Sequence, residues 1–521
     1  MNKKILINVV FLFVGLFGWV VSLSSIFKTG LGWDSVFDLS AAKIALENSR
    51  ALNLESYYDL IPITSEFYGT FIYKISDWLS IQIVGDSIFE DLDNLNNYYL
   101  IDLTTLFISL LSILVVSFCL FLTFKSSQYS FIFFGLISTL PIWVGMSQVN
   151  SKDIPVAAGI SMLSSGFMLI LKQNRSRNLF YAGILFTSLG AGLAISVRPA
   201  SITIVLIFLL LNTLIFLFFN IRSLKLRVLT LDILSIYLFT FVISFFILYV
   251  SNPIKSTNLV KWIYDSVRVS LNYPSIQQVR VFGQDFASNE LPHWYVIAWV
   301  WAQLPVLTFV SLILGFILLF KKIMINRDYY SFFSISPFMV QAFFVPAALL
   351  ITQNNMYNGV RHILFIYPAL IILSTIFLMK CIDNFNSRIL RGIGLNFVIL
   401  VLLLNAFATY RWAPYSYAYI NPVAGMGSER KWDLDYWGLS SREGIEKLNI
   451  LNSSTSKYIM PDHSSSIPFG GKGVTELSSI ETPFSLYVFV HWNHKIVENI
   501  CTIDFRIKRD NQVLGMGGNC L

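Results

Sequence analysis

Charge is what this 521-residue sequence has least of. Asp, Glu, Lys and Arg make up 13% of it, against roughly 25% in soluble domains. Hydrophobic residues reach 55%, and the mean hydropathy is +0.64. That balance excludes a soluble globular protein and leaves an integral membrane protein. The net charge of +7 does not point to nucleic acid, because many of the basic residues sit in short links between apolar runs. Nucleotide and hydrolase signatures are missing as well: there is no Walker A motif, no Rossmann glycine pattern and no nucleophile elbow. ATP-driven and nicotinamide-dependent mechanisms therefore have no support. No clear inverted repeat is visible, which counts against a secondary transporter. A small-residue cleavage site is also lacking after the first apolar run, so that run reads as a retained span.

What is present is a series of eleven apolar runs of roughly 20 residues each. They cover approximately 5–27, 101–124, 129–148, 154–172, 179–197, 200–220, 228–250, 295–320, 332–352, 363–382 and 391–410. The expected fold is an α-helical polytopic membrane protein with about eleven transmembrane helices. Alternate links are basic: Lys3 and Lys4; Lys125; Lys172, Arg175 and Arg177; Arg222, Lys225 and Arg227; Lys321, Lys322 and Arg327; Lys380, Arg388 and Arg391. Fifteen basic residues on one side mark it as cytoplasmic. The N-terminus is then expected inside and the C-terminus outside, in a bacterial inner or plasma membrane.

The outer side collects three sizeable polar pieces, 28–100, 251–294 and 411–521. The first opens with Gly32-Trp33-Asp34-Ser35. A helix is expected from Ser35 to Asn48, with Phe37, Ala41, Ile44 and Ala45 on one side. Asp34 just before it is an N-cap by its position, and Asp38 shares its face. In the second piece, 258–271 reads as an amphipathic interfacial helix, and His293 near the next span as an interfacial polar group. The expected domains are 1–410 in the membrane and 411–521 as a small α/β domain outside. In the latter, a helix is expected from Ser440 or Ser441, with strands over 486–490 and 502–507. Cys501 and Cys520 fall in this domain and are expected to form a disulfide; Cys119 and Cys381 lie in or beside spans. His463, His491 and His494 do not make a metal site, because i and i+3 point to opposite faces of a strand.

The short outer links each carry one cation: Lys152 in Val149–Asp153, Arg198 before Pro199, and Arg361 in 353–362. The plain reading of each is interfacial snorkelling. Three lone cations on the side that usually lacks them also fit convergence on an anionic group at the outer membrane face.

These stretches resemble a GT-C type polytopic glycosyltransferase of the protein-mannosyltransferase and lipid A aminoarabinose-transferase class (glycosyltransferase family 39-like). Gly32-Trp33-Asp34 stands where such enzymes keep an acidic motif. Asn150-Ser151-Lys152-Asp153-Ile154-Pro155 resembles their second one. Asn358-Gly359-Val360-Arg361-His362-Ile363-Leu364-Phe365 resembles an Arg-His-x-Leu-Phe motif. Tyr419–Gly425 with Asp435-Tyr436-Trp437-Gly438 resembles the stretch after their last span. One departure is clear: the usual Asp-Glu pair reads Asp34-Ser35 here, so a contact made by that Glu is missing or comes from Asp38.

The resemblance implies sugar transfer from a polyprenyl-phosphate donor to a protein, lipid or glycan acceptor, with inversion. Asp34 would be the general base. Asp153 would either orient the acceptor or hold a neighbouring cation. Lys152, Arg198 and Arg361 would bind the donor phosphate, with Asp38, His362 and His293 as accessory candidates. No cofactor is implied with certainty, and a divalent metal is left open. Two rivals remain at this point: a transporter or flippase of lipid-linked sugar, and a polysaccharide polymerase.

Overall fold

The computed structural model describes residues 3–47, 65–172, 175–220, 226–251, 258–273, 276–326, 329–351, 355–451, 456–459, 474–476, 484–489 and 501–520. The apolar runs are helical, as they must be where no water can serve the backbone. Eight helices are long and apolar enough to cross a membrane among the described residues. They are α1 (Lys3–Ile26) and, after α2 (Trp33–Glu47) and α3 (Phe71–Ile83), α4 (Leu95–Phe124), α7 (Asp153–Leu171), α8 (Arg177–Val197), α9 (Ile202–Asn220), α10 (Leu226–Ser251), α16 (Ile366–Asp383) and α17 (Arg388–Trp412).

Three of the eleven expected runs are broken. The run at 129–148 divides into α5 (Ser127–Ser138) and α6 (Pro141–Ser147), bent by 70°. Pro141 starts the second piece, where a missing N–H costs nothing. Pro305 separates α12 (Tyr295–Gln303) from α13 (Val306–Asn326). The run at 332–352 passes from α14 (Tyr329–Met339), with Pro337 inside it, through a π turn at Val340–Phe344 to α15 (Val345–Ile351). Among the described residues eight helices are long and apolar enough to span, or nine with the bent pair counted as one span.

Helix α7 is the centre of the membrane domain: all of its residues are buried. It packs against α4, α14 and above all α8. Glycines bring α7 and α8 close, since a Cβ on Gly159 would lie 2.5 Å from the Gly190 carbonyl oxygen. Small residues permit such contact in an apolar medium, where dispersion rather than water drives packing. Because the two helices are antiparallel neighbours, the start of α7 and the end of α8 share one level. That level carries Asp153 and Arg198.

Helix α11 (Leu259–Leu271) buries Trp262 and Ser266 and exposes Val260 and Tyr264, as an interfacial helix should. It precedes a hairpin of β1 (Gln278–Val281) and β2 (Gln284–Ala287). Beyond α17 the chain first lies back on the membrane helices. Asn421 donates to the Trp301 carbonyl at 2.7 Å, and its own N–H to that of Ala302 at 2.8 Å. Helix α18 (Ser441–Leu451) follows, then a five-stranded sheet in the order β4-β3-β5-β7-β6. Its strands are β3 (Ser456–Ile459), β4 (Val474–Glu476), β5 (Phe484–Phe489), β6 (Cys501–Arg509) and β7 (Gln512–Cys520). The β3 strand runs parallel to β4 and β5, and β7 antiparallel to β5 and β6. The small α/β domain is thus present. The histidines at 463, 491 and 494 lie outside the described residues. Cys501 is disulfide-bonded and stands opposite Cys520 in the strand register. The Cys520 side chain lies outside the described ones, and the bridge between the two is proposed on that register.

Candidate functional site

Helix α2 starts at Trp33, two residues earlier than the sequence suggests, so Asp34 lies in its first turn rather than at its cap. Its carboxylate turns towards cations from two other segments. Lys152 Nζ is 3.4 Å away and Arg361 Nη1 4.0 Å. One turn on, Asp38 sits on the same face, buried, with Lys152 Nζ at 2.7 Å. Leu39, Ala41, Ala42 and Ala45 are buried beside it, whereas Phe37, expected on the packed side, is exposed.

Asn150 shapes the Lys152 loop. Its Oδ1 accepts from the backbone N–H groups of Lys152 at 3.2 Å and Asp153 at 2.7 Å, and its Nδ2 donates to Asp153 Oδ2 at 3.0 Å. It thereby serves orphan donors at the start of α7. Asp153 holds Arg198, with Nη2 at 2.5 Å from Oδ1. Between Lys152 and Arg198 stands the Tyr68 ring, 4.5 Å and 5.2 Å from their charged groups. Tyr68 is placed by a close approach: the Gly69 N–H donates to the Val197 carbonyl at 2.9 Å. A Cβ on Gly69 would fall 1.8 Å from the Ser196 oxygen.

Arg361 is buried in a three-residue turn, Arg361–Ile363. Its guanidinium faces Tyr357 at 4.7 Å, Trp437 at 5.5 Å and Tyr436 at 5.9 Å. The last two rings come from a loop organised by Asp435. That buried carboxylate accepts from the Leu439 N–H at 2.9 Å, from the Ser440 N–H at 3.1 Å, and from the Tyr417 and Ser440 hydroxyls. Burial pushes Asp435 up to about 6 even so. The loop is pinned to the start of α2: Trp33 N–H donates to Trp437 O at 3.1 Å and Gly30 N–H to Leu439 O at 2.9 Å.

Two cavities meet at this cluster. The larger, of about 160 Å³, has a polar end of Tyr68, Asp153, Arg198, Arg361 and His362. Its other walls are largely apolar, with Val156, Ile204, Val267 and Leu271 among them. The smaller, of about 30 Å³, is lined by Gly32, Asp34, Ser35, Asp38, Lys152 and Trp437. Asp153 and Arg361 line both. Lys152 therefore stands on the Asp34 side, not with Arg198 and Arg361 at the larger cavity. His293 is exposed and lines neither cavity.

Electrostatics divides the carboxylates. Burial raises Asp34, but the charges of Lys152 and Arg361 outweigh it and hold its carboxyl below the usual range. Burial dominates at Asp38 and pushes it up to about 6 despite Lys152. For Lys152 burial opposes the charge, and Asp34 and Asp38 more than offset it. Burial, then Arg361 and Arg198, push His362 well below the usual histidine range, so its imidazole is neutral. Among the described residues His362 Nδ1, Arg361 Nε and Arg198 Nε lack hydrogen-bond partners. All three belong to residues that line the larger cavity, and a buried polar atom left without a partner is costly. No group of three or more His, Cys, Asp or Glu side chains suited to a metal ion occurs among the described residues.

No family model and no curated protein matches the sequence. Solved structures do match. ArnT from Cupriavidus metallidurans in the apo state aligns over 98% of this chain and 97% of its own, with 12% identity and a TM-score of 0.51. The same protein bound to undecaprenyl phosphate gives the same values. AglB, the oligosaccharyltransferase of Archaeoglobus fulgidus, in complex with an inhibitory peptide and a dolichol-phosphate, aligns over 91% of this chain and 64% of its own, with 12% identity and a TM-score of 0.54. The fold is the GT-C fold. At 12% identity the likeness reaches the fold and no further.

Within this fold, five expected residues come together: Asp34, Lys152, Asp153, Arg198 and Arg361. Asp38 and His362 join them, and His293 does not. Sequence reading missed Tyr68 and Tyr357 entirely. In a chain with 16% aromatic residues they carry no signal.

Proposed function

We propose that the chain transfers a sugar from a polyprenyl-phosphate-linked donor to an acceptor at the outer membrane face. One observation carries the reading: a cation-lined cavity with apolar walls adjoins a carboxylate-lined one, and Arg361 and Asp153 belong to both. The likeness to ArnT, solved with undecaprenyl phosphate, and to AglB, solved with a dolichol-phosphate, agrees with it.

The donor phosphate lies by Arg198, Arg361 and His362, with the lipid along the apolar walls. An acceptor hydroxyl in the smaller cavity attacks C1 of the sugar from the face opposite the phosphate. The C1–O bond to phosphate breaks, and its electron pair stays on the phosphate oxygen. Asp34 takes the acceptor's proton. Arg361 stabilises the charge that grows on the leaving phosphate. Asp153 holds Arg198 at the larger cavity, and Lys152 attends the base. Inversion at C1 follows from a single displacement. The N-terminus is cytoplasmic and the sheet domain outside, by the basic links.

Purified protein with a synthetic polyprenyl-phosphate sugar tests this, scanning sugars and acceptors. Asp34→Asn is expected to lower single-turnover transfer about 10²–10⁴-fold with donor binding kept. Asn also removes the charge that faces Lys152 and Arg361, so transfer is compared per folded protein; full transfer by the folded variant would remove Asp34 as the base.

A further inference from the structure

Asp38 has no task in the reaction just described, yet it holds Lys152 more closely than Asp34 does. Lys152 Nζ lies 2.7 Å from Asp38 and 3.4 Å from Asp34. The Asp38 side chain is 8% exposed and that of Asp34 33%. Two carboxylates on successive turns of one helix therefore share one ammonium. The other charged or titratable groups facing them are Arg361 beside Asp34, Arg198 with its own Asp153, and Tyr68 and Tyr73 against Lys152.

The charge count changes when Asp34 takes a proton. With Asp38 ionised, Lys152 keeps a carboxylate at hydrogen-bond distance. Without Asp38, protonating Asp34 would strand a largely buried ammonium, and a buried charge stripped of its partner is strongly disfavoured. We infer that Asp38 is a positioning residue for the base: it holds the Lys152 ammonium so that Asp34 can accept a proton without leaving that ammonium uncompensated. The inference rests on Asp34 as the base. Asp38 counters the pull of Lys152 and Arg361, which alone would make Asp34 a poor proton acceptor.

Carbodiimide labelling with glycine ethyl ester tests it on the full chain in detergent. The reagent consumes the protonated carboxyl, so the labelling rate of Asp34, read by peptide mass spectrometry, reports its proton occupancy. At pH 7, Asp38→Asn is expected to slow Asp34 labelling roughly threefold to tenfold, since each pKa unit is a factor of ten. Asp38→Glu, which keeps a carboxylate on that face, restores the rate. At pH 5 wild type and Asp38→Asn label alike, because Asp38 titrates at about 6 and is already neutral in the wild type. A loosened fold would expose Asp34 and speed its labelling, the opposite sign. Equal or faster labelling at pH 7 by an Asp38→Asn variant whose thermal unfolding matches wild type overturns the inference while leaving the transfer reading intact. A slowed rate together with full transfer by Asp34→Asn keeps the Asp38–Lys152 arrangement and removes the base it was to serve.

Discussion

Arg361 is the residue on which both cavities depend, and its surroundings make it more than a charge. Three rings confine the guanidinium to a plane that an ammonium cannot occupy in the same way. If the proposed donor site is right, Arg361→Lys is expected to weaken binding of a polyprenyl-phosphate probe by about 1.5–3 kcal/mol, the size of a lost charge-assisted contact. Affinity equal to wild type in Arg361→Lys and Arg361→Ala would take the residue out of the phosphate site. At this scale the sequence was readable because ionisable residues are rare in it. Asp34, Lys152, Asp153, Arg198 and Arg361 stood out against apolar neighbours. What stayed hidden was their grouping. Lys152 and Arg198 look equivalent as lone cations on short links, and only packing assigns one to the carboxylates of α2 and the other to Asp153.

Among the elements, the junction between Tyr68–Gly69 and the end of α8 places two cations at once. Gly69→Ala would drive a methyl into the Ser196 carbonyl. The cost expected for such overpacking is about 1–3 kcal/mol, with Tyr68 displaced from between Lys152 and Arg198. Thermal unfolding of the variant checks the first part and transfer by its folded fraction the second; unchanged values in both would mean that the segment yields without consequence. Element type was legible wherever hydropathy governs it, and so were α18, β5 and β6; the short strands β3 and β4 were not anticipated. Breaks were less legible. Hydropathy runs straight through Pro305 and Pro337 because proline is not charged, while the backbone donors it removes end or bend a helix. The start of α2 was misplaced for a related reason: Trp33 and Asp34 look like an approach to a helix, but the loop at 435–440 fixes that turn from outside.

For the whole molecule, the basic links predict an orientation that no packing interaction can report. A reporter fused after Leu521 is expected to be active only on the outer side of the membrane. Activity confined to the cytoplasm would invert the chain and move the site to the other face. In the stretch after α17, Asn421 donates to the Trp301 carbonyl, while Tyr436 and Trp437 face Arg361. The interlocked pair α7–α8 has a consequence of another kind. Glycines on both helices bring the backbones into direct contact, and so tightly packed a pair acts as a strut. The 19 residues of α7 span about 28 Å at 1.5 Å per residue, close to the roughly 30 Å of a bilayer's hydrocarbon. A helix of that length sets Asp153 and Arg198 near the edge of the hydrocarbon of a matching membrane. In a thicker or thinner bilayer the lipids, not the strut, must deform, and a lipid-borne phosphate would reach the cations at a different height.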